Sequence, residues 1–229
     1  MQWILLGFWL IIILHLNLKK LRVLLACSLA ASMSAQLFLL WMDGLFSFET
    51  ALPLHLCGLF GILSIPMLWY APVFLWETSV FLGAPAALCT LFFPAVMPCS
   101  HPWLMTLAFC QLHVLVGLMP LFHLRTGKPL PTDPRRTLAV GNGYLLFVGA
   151  FNRVFQTNYL FLRMAPAGTP LMLFFCKGPA FYLCALEMLC MLVFTWLKHL
   201  FVTAGNRSSY SRCIRYTAPC TNRDRGSGW

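Results

Sequence analysis

A thiol and an imidazole stand close together in Leu52-Pro53-Leu54-His55-Leu56-Cys57-Gly58, just inside a long apolar run. An ionisable side chain is costly to hold in such a run, which marks it for a functional role. A cysteine thiolate activated by an imidazole base is a recurrent solution for acyl transfer. Two residues along a helix is a rotation of about 200°, so the His55 and Cys57 side chains diverge and the base must come from another element. His113 is the candidate; it lies near the middle of another apolar run with Cys110 and Gly117 on its side. Counted from the same end, His113 sits about 8 Å deeper than Cys57. Gly61, one turn below Cys57, leaves room for a substrate atom. A second reading fits the same residues. Cysteine and glycine are ordinary packing residues of membrane helices, and a histidine can simply hydrogen-bond across a core. Glu187, deep in the last apolar run, must be protonated or paired, with Arg153, Lys177 or His113 as candidate partners. It could orient His113 as the third member of a triad or form a structural ion pair. Neither His55 with His101 nor His55 with His113 has a metal-ligand spacing, so no metal and no cofactor is expected.

The elements that carry these residues are apolar helices. The chain has 229 residues, 60% hydrophobic and 10% charged, and a mean hydropathy of +0.78. Soluble domains carry roughly 25% charged residues. The runs 1–18, 23–42, 52–70, 73–93, 103–124, 137–155 and 171–202 read as about seven membrane-spanning helices, an all-α bundle. Pro53 suits the first position of the third helix. The first run lacks a positive start and a small-residue cleavage site and reads as a span. Gln156 to Pro170 reads as a reentrant or surface segment. Residues 1–203 then form one transmembrane helical domain, followed by a basic, disordered tail over 204–229.

The net charge of +10 is gathered between apolar runs and in the tail, which fits lipid headgroups and excludes nucleic acid as the partner. With the amino terminus outside, the inner segments hold thirteen of the sixteen Lys and Arg residues. The positive-inside rule therefore places the amino terminus outside and the tail in the cytoplasm. The ten cysteines do not form a disulfide pattern, since seven lie within or at the ends of apolar runs.

Several short motifs in order carry a resemblance. Leu52-Pro53-Leu54-His55-Leu56-Cys57 is followed by Glu77 with Phe81 and Gly83, then Leu112-His113, then Thr157-Asn158-Tyr159 with Leu162-Arg163, then Gly178-Pro179 with Tyr182, Leu186 and Glu187. This set, over roughly residues 50 to 195, resembles the YwaF-like/transmembrane protein 164 family of integral membrane proteins. The resemblance implies a membrane acyltransferase that remodels phospholipids through a cysteine acyl intermediate. Residue by residue, it implies Cys57 as the nucleophile and His113 as its base. His55, Asn158, Tyr159 and Glu187 are supporting candidates. The chain departs from the family pattern at Gly58, where an acidic or polar residue is expected, and after Gly178-Pro179, where tryptophans are expected.

Three functions follow as expectations. The first is acyl transfer from a phospholipid to a lysophospholipid, or to water in the hydrolytic version. The second is a transporter or lipid-handling protein, with Asn142, Asn152, Arg153, Gln156, Asn158 and Glu187 lining a polar path. The third is a structural membrane partner docking through the basic tail. Membrane phospholipids are the expected partners. The expected location is a multi-pass position in a bacterial cytoplasmic membrane or a eukaryotic endomembrane or plasma membrane.

Overall fold

The computed structural model describes residues 1–165, 169 and 171–217. It is all-helical. The α-helices are α1 (Gln2–His15), α2 (Leu18–Met42), α3 (Leu56–Met67), α4 (Val73–Thr78), α5 (Ala84–Phe92), α6 (Pro102–Arg125), α7 (Arg135–Phe155), α8 (Leu171–Phe175) and α9 (Pro179–Thr217). A π turn, Ser79–Gly83, joins α4 to α5, and a short 3-10 turn, Tyr159–Phe161, follows α7. Apolar helices stand where the hydrophobic runs fall, but the run 171–202 is not one helix: it breaks at residues 176–178 into α8 and α9. Among the described residues, five are long and apolar enough to cross a membrane; α1 and α3 are shorter. The tail expected from residue 204 begins inside α9, which is helical to Thr217; residues 218–229 lie outside the described residues.

The centre of the bundle is α6. Leu112 through Gly117 are all buried, with Met119 and Phe122, so this helix is apolar and covered all round, the pattern of a core helix. It packs against α1, α2, α3 and α5. Leu21, Leu25 and Leu29 of α2 and Phe60 of α3 belong to the same core, as does Leu91 of α5. By contrast α7 and α9 expose most of their apolar surface. Such surface is satisfied by lipid rather than by protein.

Two local devices set the faces that meet. The π turn inserts itself in the long helix from Val73 to Phe92 and leaves the Ser79 hydroxyl buried without a hydrogen-bond partner. Gly83 is its last residue and lets Phe60 pack close, since a Cβ there would lie 2.7 Å from the Phe60 ring. At one end of the bundle, Asp43 staples two loops: its carboxylate accepts from the Ser100 amide at 2.7 Å and from the Ser100 hydroxyl at 2.6 Å. These bonds hold the Asp43 carboxyl below its usual pKa of 3.8.

The third run differs from its sequence reading. The helix starts at Leu56, and Leu52 to His55 form a turn ahead of it. Pro53 is therefore outside the helix. Its backbone lies against Gly58, where a Cβ would be 3.1 Å from the Pro53 Cα. With 12 residues, α3 is about 18 Å long, against roughly 30 Å of hydrocarbon.

Candidate functional site at the start of α3

Non-helical backbone at membrane depth survives only where its polar groups find partners in the protein. Two tyrosines provide them here. The Tyr144 hydroxyl donates to the Leu54 carbonyl at 2.9 Å. The Tyr159 hydroxyl accepts from the Leu52 amide at 3.1 Å and donates to the Phe48 carbonyl at 2.6 Å. The chain can thus begin a helix below the rim of the bundle. A Cβ on Gly61 would meet Leu112 Cδ1 at 2.9 Å, which puts Gly61 level with Leu112. Counting back along both helices, Leu56 falls five residues below the start of α6, a recess of about 8 Å.

Cys57 is the second residue of α3 and is 9% exposed. Its Sγ is 3.8 Å from Thr90 Oγ1. Thr90 already donates its hydroxyl proton to the Ala86 carbonyl at 2.9 Å, so the Cys57 thiol donates to Thr90. The amides of Leu56, Cys57 and Gly58 belong to the first turn, where the helix itself offers no acceptor. A negative charge on the sulfur, or on an oxygen beside it, would meet these amides and the positive end of the helix dipole.

His113 is buried at 5% exposure. Its Nδ1 is 2.7 Å from the Phe109 carbonyl, and a carbonyl can only accept, so Nδ1 carries the proton and Nε2 is the basic nitrogen. The ring packs on Phe109 with centroids 4.1 Å apart. The Gly61–Leu112 register places His113 about 8 Å deeper than Cys57 along the helix axis. No hydrogen bond joins the two among the described residues; the direct partner of Cys57 is Thr90. The triad suggested for Glu187 is not formed either. The Phe109 carbonyl occupies the His113 nitrogen that a carboxylate would take. Glu187, half-buried on α9, makes no hydrogen bond or ion pair among the described residues.

His55 is the residue before the first turn of α3. Its Nδ1 accepts from the Leu160 amide at 3.4 Å, and its ring lies 5.1 Å from both Tyr159 and Phe161. It therefore ties the recess to the segment that follows α7. That segment is bent through left-handed backbone at three non-glycine residues, Gln156 (φ 57°), Leu160 (φ 56°) and Phe161 (φ 57°). Such geometry costs about 1–3 kcal/mol per residue and persists only where surroundings enforce it. Asn152, 1% exposed, enforces it. Its amide nitrogen donates to the Tyr159 carbonyl at 2.8 Å, and its oxygen accepts from the Tyr159 amide at 2.9 Å and the Thr157 hydroxyl at 2.8 Å. Asn158 closes the far side, accepting from the Arg163 and Met164 amides and donating to the Met164 carbonyl.

Sequence reasoning missed Thr90 as the partner of Cys57, and placed Asn152 on a polar path rather than at the centre of a clamp. Thr90 had no signal beyond being a hydroxyl in an apolar run. Asn152 had one, since a buried amide in a membrane helix needs several partners. Beside the recess lies an apolar groove of about 80 Å³, lined by Leu56, Leu59, Phe60 and Leu63 together with Leu82 and Tyr144. Among the described residues no three His, Cys, Asp or Glu side chains are grouped to hold a metal ion, and the cysteines from Cys27 to Cys190 are free thiols.

Apolar helices wrapped around a buried core helix, with a recessed helix start whose backbone is satisfied from within, define a helical membrane protein. The chain belongs to the TMEM164 family, whose family model matches residues 2–198. No curated protein and no solved structure matches it.

Proposed function

We propose that the protein is a cysteine-dependent phospholipid acyltransferase acting within the membrane. The observation that carries this reading is the position of Cys57: buried, second in a recessed helix, beside amides with no helical acceptor. The Cys57 sulfur attacks the ester carbonyl of a phospholipid. First-turn amides receive the developing oxyanion. The ester C–O bond breaks, and the thiol proton passes through His113 Nε2 to the departing lysophospholipid oxygen. The acyl group stays as a thioester on Cys57, its first carbons in the apolar groove along Leu56, Leu59 and Leu63. A second lysophospholipid then gives its hydroxyl proton to His113, attacks the thioester, and regenerates the thiol. Water in place of that hydroxyl makes the reaction a hydrolysis.

The transporter reading finds less support. Asn152, Gln156 and Asn158 spend their polar atoms on the loop itself and are not free to line a path.

The test is mass spectrometry of the Cys57 peptide from membranes, with parallel lipid profiling. We expect a hydroxylamine-labile acyl adduct on Cys57 in the wild type. Cys57→Ser and His113→Gln should each lower acyl exchange by at least a hundredfold. Unchanged lipid profiles in both variants would sink the proposal. We also infer seven membrane-crossing segments in a multi-pass membrane protein, with the amino terminus outside, from the Lys and Arg bias. Cys99, in the loop before α6, should then react with an impermeant maleimide added from outside; protection there with labelling from the inside reverses the orientation.

A further inference from the structure

A second site lies at the other end of the bundle, where α2 begins and α6 ends. The bond from Gln36 Nε2 to the Ala108 carbonyl fixes the register of these antiparallel helices. Followed to the start of α2, that register sets Arg22 level with Phe122, one residue before His123. His123 is about 16 Å further along α6 than Leu112, and so well separated from Cys57.

His123 is 2% exposed, and its Nε2 has no hydrogen-bond partner. The ring is held edge-on between Trp76 and Phe122, with both centroids 5.2 Å away. Trp76 is itself fixed by its Nε1 donating to the Pro129 carbonyl at 2.9 Å. Arg22 Nε is also buried without a partner, although a guanidinium N–H can only donate. Lys128 completes the group. Its amide donates to the His123 carbonyl at 3.2 Å, and its ammonium donates to the Ala71 carbonyl. Arg22 and Lys128 are the charged neighbours that act on His123, and both are cations. Among the described ion pairs, Asp133 goes to Arg135 and Glu77 to Arg136 at 4.0 Å; Glu77 Oε2 is also buried without a hydrogen bond, but Glu77 is not among the charges that act on His123. Arg125 is spent on the carbonyls of Ile13 and Leu16.

Buried donors without acceptors are costly and call for an unseen partner. Here Arg22 and Lys128 are cations beside His123, neither is ion-paired to a carboxylate among the described residues, and the Arg22 Nε–H has no acceptor, so the fitting partner is an anion with several acceptor oxygens. We propose that Arg22, His123 and Lys128 form a phosphate-binding site, distinct from Cys57, that holds the headgroup phosphate of an anionic phospholipid. The last turn of α6 supplies the depth: a helix of 24 residues spans about 36 Å, so His123 falls at the hydrocarbon–headgroup boundary. Free inorganic phosphate offers the same oxygens and is the other source.

The experiment uses the purified full chain in neutral detergent and titrates phosphatidic acid by native mass spectrometry. Diacylglycerol of the same chains and inorganic phosphate are run in parallel. We expect phosphatidic acid to bind and diacylglycerol not to. Arg22→Gln/Lys128→Gln should bind at least tenfold more weakly, while Lys19→Gln/Lys20→Gln, which removes exposed charges nearby, should stay within twofold. Inorganic phosphate that displaces the lipid completely identifies the free ion as the ligand; failure to displace it identifies the headgroup. Equal binding by the wild type and the Arg22/Lys128 variant, or an equal loss in the Lys19/Lys20 variant, overturns the site. Should the double variant not fold, Arg22→Lys keeps the charge and removes the buried Nε–H. About tenfold weaker binding is then expected, and wild-type binding overturns the proposal.

Discussion

Replacing Asn152 by alanine removes a side chain that holds three hydrogen bonds in a buried place. Each is worth about 1 kcal/mol net, so about 3 kcal/mol of support for the segment after α7 is lost. Opposing them are three left-handed non-glycine residues, each straining the backbone by roughly 1 kcal/mol or more. The clamp and the strain are thus of similar size, and removing the clamp should tip the segment open. Hydrogen exchange in lipid nanodiscs reads this directly. The Tyr159 amide should exchange roughly 150-fold faster in Asn152→Ala, because every 1.4 kcal/mol is a factor of ten. Asn152→Asp keeps the acceptor and loses the donor to the Tyr159 carbonyl, so it should fall between. Tyr159→Phe provides the contrast. It loses the bridge to Phe48 and Leu52, so exchange should rise at the Leu52 amide and not at residues 157–161. An Asn152→Ala exchange rate at Tyr159 within threefold of wild type would refute the clamp.

Two further outcomes follow from single contacts. Gly58→Val places branched carbons against the Pro53 backbone and should cost about 1–3 kcal/mol through overpacking; an unchanged thermal midpoint in detergent contradicts that close approach. The Asp43 staple has a defined pH sense. Because its folded pKa is depressed below 3.8, its contribution is fully present above that value and is lost as pH falls through the lower folded one. The ratio of pepsin nicking in loop 93–101 between wild type and Asp43→Asn should therefore be flat from pH 6 to 4 and change only below. A change centred near neutrality would remove Asp43 as its cause.

The helices were legible because they are long and apolar. A run such as Trp103 to Leu124 has only one economical conformation in lipid. The beginning of α3 was not, because Pro53 is equally at home as a first helical residue and in the turn before one. The close approach to Gly58, which no single position announces, excludes the first. Cys57 and His113 could be singled out by residue type, and their axial offset by counting. Thr90 could not, since its role depends on a hydroxyl proton already committed to Ala86. The bend at Leu160 and Phe161 was hidden for a related reason. Left-handed backbone is usually signalled by glycine, and here it is imposed by an asparagine several residues earlier.

The π turn between α4 and α5 acts as a phase shifter. One extra residue in a helix rotates everything beyond it by about 100°. On one side of Ser79–Gly83 the helix presents Trp76 to His123; on the other it presents Thr90 to Cys57. A regular helix could satisfy one of these contacts but would turn the other away. Removing a single residue from that turn would therefore act as an error of angle rather than of length, uncoupling the two ends of the molecule while leaving each helix intact.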